Sequence, residues 1–330
     1  LQLAFHVLSL YQKMKEVILV IKEIYSVPSH DGMHQLHTIC WRGEGDVIAV
    51  LQIVHGMAEF IERYDSFANY LVKRNIAVIG HDQLGHGQTA TETNELGYFA
   101  DKDGANIVIS DMYRITKKAK ELFPNIPVFL MGHSMGSYFA RKYITLFGDK
   151  IQGALLVGTG DIPAKTVLSA KLLASCLMKV KGPLHRSEFL HQTAFRSYLK
   201  RIPDHSTEKD WLTRDRKIVS DYLANGLNMF VFTVSGFHDM FSNIAYCSKK
   251  TRFHQIPRTL PILFASGAED PVGEWGKAPA ALYHMYSQEG FTDIDLFLYE
   301  DCRHEIINEL NKYDIFDDLG NWIIKKCTHN

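Results

Sequence analysis

The stretch Pro127-Val128-Phe129-Leu130-Met131-Gly132-His133-Ser134-Met135-Gly136-Ser137 passes from a short apolar, strand-forming run through a serine flanked by glycines into the helical pattern of 135–146. The pattern Gly-x-Ser-x-Gly alone is only moderately specific, since a chain of this composition produces about 0.1 such matches by chance. Its setting is more telling: a strand, a sharp turn and a helix form the geometry that holds a serine strained and exposed at the end of a strand. A Cβ on either flanking residue would collide with neighbouring backbone there, which gives both glycines a physical reason.

Working outward, apolar β-branched runs alternate with helical spacing. Upstream lie strands over 24–27 and 36–41, joined by the turn Ser29-His30-Asp31-Gly32 as an antiparallel hairpin. A run over 47–54, apolar on both faces except Gln52, reads as a strand buried on both sides. A helix over 59–74, a strand over 76–79 and a helix over 106–122 follow. Downstream come a strand over 154–157 and then, after a break, a strand at 260–265, a helix at 277–288, a strand at 294–299 and a helix at 313–325. The break, 161–254, is a run of helical segments rich in Leu, Phe, Met and Tyr, with a strand possible only at 229–234. The expected fold is α/β: a mostly parallel eight-stranded sheet flanked by helices, with a helical insertion. The expected organisation is an N-terminal extension over 1–23, a core formed by 24–160 and 255–330, and an insertion over 161–254; Met14 precedes the first strand-like run.

At 330 residues, 46% of them apolar, the chain can bury a sizeable core. A formal net charge of −1 and an isoelectric point near 7.0 give no basic field for nucleic acid. Five cysteines, an odd number with no Cys-x-x-Cys pair, read as reduced thiols in a cytosol. Lys13, Lys15 and Glu16 interrupt the apolar start, and no run reaches the ~20 residues that span a bilayer. The expected location is cytoplasmic, with peripheral membrane contact.

A serine hydroxyl is a weak nucleophile, so Ser134 needs a base, and the base needs an orienting carboxylate. In a sheet of this kind both arrive from loops after later strands, carboxylate first. The loop after 260–265 offers Glu269 and Asp270, and Pro271, stiffening the chain just beyond, favours Asp270. The loop after 294–299 offers His304, singled out from 16 histidines by its position. An oxyanion would meet the amide of Met135 and, from the loop His55-Gly56-Met57, the amide of Met57. Asn308 stands where a zincin helix would place its second histidine, and Ala90 where a dinucleotide loop would place its third glycine, so no metal or cofactor is expected.

The set HGMAEFIERY, HDQLGHGQT, GHSMGS, SGAEDPVG and CRHEIINE closely resembles the monoacylglycerol lipase and lysophospholipase branch of the serine aminopeptidase-like α/β-hydrolases, especially its bacterial members. The resemblance runs from about Ile24 to Trp322 with the five motifs in order. It implies the α/β-hydrolase fold, a Ser134, Asp270 and His304 triad, Met57 and Met135 as oxyanion donors, and a lid between Asp161 and about His254. Departures are visible at His81-Asp82-Gln83 and at Ala268-Glu269; neither touches the implied triad.

The expected activity is hydrolysis of carboxylic esters of acyl chains, with monoacylglycerol or lysophospholipid as the small-molecule substrate. A serine aminopeptidase of the same fold and a ligand-binding protein without turnover are the alternatives. Apolar residues around most of 168–178 and the aromatics of 230–241 suit an acyl channel. The insertion also carries about seven more Lys and Arg than Asp and Glu, which suggests transient contact with an anionic membrane surface, or recognition of a phosphate head group.

Overall fold

The structure is a computed structural model that describes residues 19–327. Most of the expected N-terminal extension, residues 1–18, and the last three residues lie outside that span. Strand β1 (Ile21–Pro28) begins inside the stretch assigned to the extension and pairs along its whole length with β2 (Gln35–Arg42), with Gly32 in the left-handed region at the connecting turn. β3 (Ala49–Val54) follows. The single helix expected over 59–74 is instead a 3-10 turn over Ile61–Tyr64 running into helix α1 (Asp65–Val72). Ala58 at φ +54° and the Glu59 side chain, folded back onto the Gly56 N–H, keep the helix from starting earlier.

The alternation continues through β4 (Ile76–His81), α2 (Gly104–Leu122), β5 (Val128–His133), α3 (Met135–Phe147) and β6 (Gly153–Val157). The insertion then contributes α4 (Ala164–Lys181), α5 (Glu188–Phe195), α6 (Arg216–Ala224) and α7 (Val234–Cys247). The strand considered at 229–234 does not form. Thr233 makes one isolated bridge to Arg186, and its hydroxyl caps α7 instead. β7 (Ile262–Gly267), α8 (Lys277–Gln288), β8 (Ile294–Tyr299) and α9 (Lys312–Cys327) complete the fold.

The eight strands form one sheet in the order β1-β2-β4-β3-β5-β6-β7-β8. The β1–β2 and β2–β4 pairs are antiparallel and every other pair is parallel. Central strands are buried throughout, and their pleat sends successive side chains to opposite layers. Val54 and Leu130 pack in the layer of Ile109 and Phe139 from α2 and α3, while Ile53 and Met131 face Phe67 of α1 and Phe316 of α9.

This order positions the site. From β3 the chain steps outward to β4, then crosses back over β3 to β5, so the loops leaving the adjacent strands β3 and β5 diverge at their carboxyl ends. Such a reversal opens a crevice at the sheet edge. The loop after β3 carries His55-Gly56-Met57, and the turn after β5 carries Ser134.

Candidate active site

Ser134 has φ +54° and ψ −119°, a conformation that costs a non-glycine residue of order 1–3 kcal/mol and must be imposed by its surroundings. Its N–H donates to Val157 O at 2.9 Å, and its carbonyl accepts the Ser137 N–H at 2.9 Å. The flanking glycines are required: a Cβ on Gly136 would sit 2.2 Å from Val54 O, and one on Gly132 would sit 2.3 Å from Gly136 O.

Asp270 and His304, 34 residues apart in sequence, meet at the ends of β7 and β8. Both carboxylate oxygens of Asp270 lie 3.0 Å from His304 Nδ1. Asp270 is fully buried, its Oδ1 accepting the Val272 N–H at 2.8 Å and its Oδ2 the Ser266 hydroxyl at 3.2 Å, whereas Glu269 is exposed. The carboxylate accepts and so Nδ1 carries the ring proton, leaving Nε2 as the acceptor. The insertion closes over this histidine: the Trp211 ring lies 5.0 Å from it, and Trp211 O accepts the His304 N–H.

Ser134, His304 and Met57 line one cavity of about 310 Å³. A second cavity, of about 280 Å³, shares Met57 and Ser134 with the first and adds Met135, Val167, Ala170, Leu190 and Ile244. The first lobe is the more polar of the two, with Glu188, His191, Gln192, Glu208 and Asn228 in its wall beside Trp211, Leu212 and Phe230. The serine stands where an apolar and a polar lobe meet.

Beneath the site lies a cluster of four ionisable side chains that the sequence reading did not single out. Glu59 Oε1 faces His133 Nδ1 at 2.9 Å and accepts the Tyr64 hydroxyl and the Gly56 N–H, while Oε2 accepts Arg63 Nη1 at 2.9 Å. Arg63 also grips both oxygens of Glu305, at 2.8 and 2.7 Å. Burial works against ionisation of Glu59, but the His133 hydrogen bond and the charges of His133 and Arg63 outweigh it and hold the carboxyl below its usual range. Burial likewise opposes a charge on His133, and the hydrogen bond and charge of Glu59 raise its pKa all the same. Two carboxylates thus face one guanidinium and an imidazole whose protonated form Glu59 favours. The signal was present in three motifs, where a charged or imidazole residue stands beside a site residue: Glu59 and Arg63 after Met57, His133 before Ser134, Glu305 after His304.

An eight-stranded, mostly parallel sheet with a strained serine at the end of a central strand, and an Asp–His pair beyond later strands, defines an α/β-hydrolase. Residues 45–311 match the family described as "Serine aminopeptidase, S33", and the chain belongs to that family. It is 32% identical to the monoglyceride lipase of Rattus norvegicus over 292 residues, covering 86% of this chain and 84% of that protein. Among solved structures, a thermostable carboxyl esterase from Bacillus coagulans superimposes with a TM-score of 0.86 at 24% identity, covering 93% of this chain and 99% of that one. A soluble variant of monoglyceride lipase from Saccharomyces cerevisiae, in complex with a substrate analog, gives 0.70 at 18%, covering 94% and 96%. Within the family the chain is monoglyceride lipase-like.

Proposed function

We propose that this protein hydrolyses carboxylic esters of acyl chains, monoacylglycerols foremost, through a serine acyl-enzyme. The observation that carries this reading is the junction of an apolar and a polar lobe at Ser134, beside the Asp270–His304 pair. His304 Nε2 takes the Ser134 proton as the hydroxyl oxygen attacks the ester carbonyl. Asp270 holds the imidazole in its tautomer and stabilises the imidazolium, and the Met57 and Met135 amides receive the oxyanion. His304 then protonates the departing alcohol, and water enters by the same route to release the fatty acid.

The acyl chain occupies the lobe of Val167, Ala170, Leu190 and Ile244, and the alcohol occupies the polar lobe. Among the described residues, Lys209 is the one Lys or Arg lining the polar lobe and pairs with Glu208, so the lobe suits an uncharged polyol better than a phosphate. The other cations of the insertion do not line this lobe, with Lys165, Lys179 and Lys181 exposed on α4. Between them Leu168, Leu172 and Val180 form an exposed stripe along the same helix, with Phe189 exposed in the next. This surface fits transient contact of the insertion, acting as a lid, with an anionic membrane. Four glutamates line the lobe, Glu59 and Glu305 paired with Arg63, Glu208 paired with Lys209, and Glu188; they are the feature that would suit an aminopeptidase substrate's ammonium group.

The test is labelling by a fluorophosphonate, followed by a panel of monoacylglycerol, lysophospholipid and aminoacyl anilide substrates. Labelling at Ser134, its loss in Ser134→Ala and preference for monoacylglycerol are expected. An unlabelled wild-type protein would end the hydrolase reading, and preference for the anilide would exchange it for the aminopeptidase.

A further inference from the structure

Gly56 is held at both ends. Its N–H donates to Glu59 Oε1, and its carbonyl accepts Nδ1–H of His55 at 2.8 Å. The tautomer of His55 is fixed, because its Nε2 accepts the Gln83 N–H at 3.0 Å and the one ring proton of a neutral imidazole must then sit on Nδ1. Burial supports the neutral form, pushing the pKa of His55 down to about 3.

The consequence lies in the next peptide unit. In a trans peptide the carbonyl and the following N–H point to opposite sides. Holding Gly56 O against His55 therefore turns the Met57 N–H away from His55. That peptide lies against the serine: a Cβ on Gly56 would be 3.1 Å from Ser134 Cβ. Glu59 extends the hold to the nucleophile, because the oxygen that takes the Gly56 N–H also faces His133, the residue before Ser134. Through Arg63 and Glu305 the chain of charges continues to the residue after His304. Three loops that meet at the site are thus tied to one carboxylate.

We propose that His55 and Glu59 are positioning residues that fix the plane of the Gly56–Met57 peptide against Ser134, so that the Met57 N–H is aimed at the oxyanion before substrate arrives. Orientation is then set during folding, and no reorganisation is needed as charge develops. This inference rests on the reading of Ser134 as nucleophile.

The experiment compares His55→Leu, His55→Asn and Glu59→Gln with wild type. For each, kcat for a soluble p-nitrophenyl ester is measured, with the affinity of a trifluoromethyl ketone, which forms an oxyanion on the serine, and that of a 1-alkanol of the same chain length, which carries no anionic oxygen. Fluorophosphonate labelling of the wild type comes first; its failure would remove the nucleophile assignment itself, an outcome separate from any loss in the variants. In a protein that labels, His55→Leu and Glu59→Gln should lower kcat and weaken the ketone by a common factor of about 10 to 100, with alkanol affinity within about twofold. His55→Asn, whose amide nitrogen stands in for Nδ1, should recover most of the loss. Folded His55→Leu with wild-type kcat and ketone affinity would overturn the proposal, as would a loss falling equally on the alkanol. If Glu59→Gln fails to fold, the two His55 variants decide.

Discussion

Asp270 presents both carboxylate oxygens to His304 Nδ1 at equal distances of 3.0 Å, and the two side chains are among the most buried polar groups in the protein. The Asp270 contact engages Nδ1 and leaves Nε2 out of that bond, in a histidine that lines the same cavity as Ser134 and packs against Trp211.

Asp270→Asn should therefore remove the tautomer rather than the binding site. An amide at this position can donate to Nδ1 and drive the proton to Nε2, where it blocks attack. The expected result is a fall in kcat on the order of 10⁴-fold with KM little changed, read by steady-state hydrolysis of a p-nitrophenyl ester. Loss of less than tenfold would mean that Asp270 does not orient the base.

Gly136→Ala should cost about 3 kcal/mol or more of stability, since the new Cβ meets backbone at 2.2 Å from Val54 O and 2.6 Å from His55 O, atoms that cannot step aside cheaply. Urea denaturation measures this. A variant as stable as wild type would show that the end of β3 and the start of α3 leave room for a methyl group.

His86 lies among Phe99, Phe230 and Phe232, and burial pushes its pKa down to about 4. A histidine whose folded pKa is depressed contributes stability above its unfolded value, near 6.5, that is lost as the pH falls towards the folded one. Asp82, pushed up to about 7 by burial, titrates over the same range in the opposite sense, so the difference between two proteins isolates the histidine. Between about pH 6 and 4, wild type should lose about 1.4 kcal/mol per pH unit more than His86→Phe. Parallel stability curves would show that His86 charges as freely folded as unfolded.

The combined variant Leu168→Ser, Leu172→Ser and Val180→Ser removes exposed apolar surface from α4 and leaves the residues lining both lobes in place. Sedimentation with anionic vesicles should show partitioning reduced about tenfold or more, with hydrolysis of a water-soluble ester retained. Unchanged partitioning would remove α4 as the membrane-facing element.

The strands were legible because β3, β5, β6 and β7 are apolar on both faces and bounded by turn residues, a pattern that few other structures satisfy. The hairpin followed from the turn residues at Asp31-Gly32, and the helices expected at 106–122 and 277–288 followed from local periodicity. The helix expected from 59 was misread because Glu59 is a good helix former by propensity; its side chain is instead engaged with Gly56, His133 and Arg63. The run at 229–234 has strand-like composition but finds one bridge and no ladder, because Thr233 leads directly into α7. Among the site residues, the choice of Asp270 over Glu269 needed only Pro271 and the chain order, and the fold sets Asp270 against His304.

Taken alone, the order of residues determined the elements, the strained turn at Ser134 and the succession of loops from which the site is drawn, since each of these depends on φ preferences and apolar spacing within a few neighbours. Tertiary structure decided that Glu59, Arg63, His133 and Glu305 form one cluster, that α4 leaves Leu168, Leu172 and Val180 uncovered, and that an apolar and a more polar lobe meet at one hydroxyl. The reason is physical: whether a buried charge is tolerated, and what a cavity holds, depends on groups brought close in space from far along the chain, as with Arg63 and Glu305, 242 residues apart.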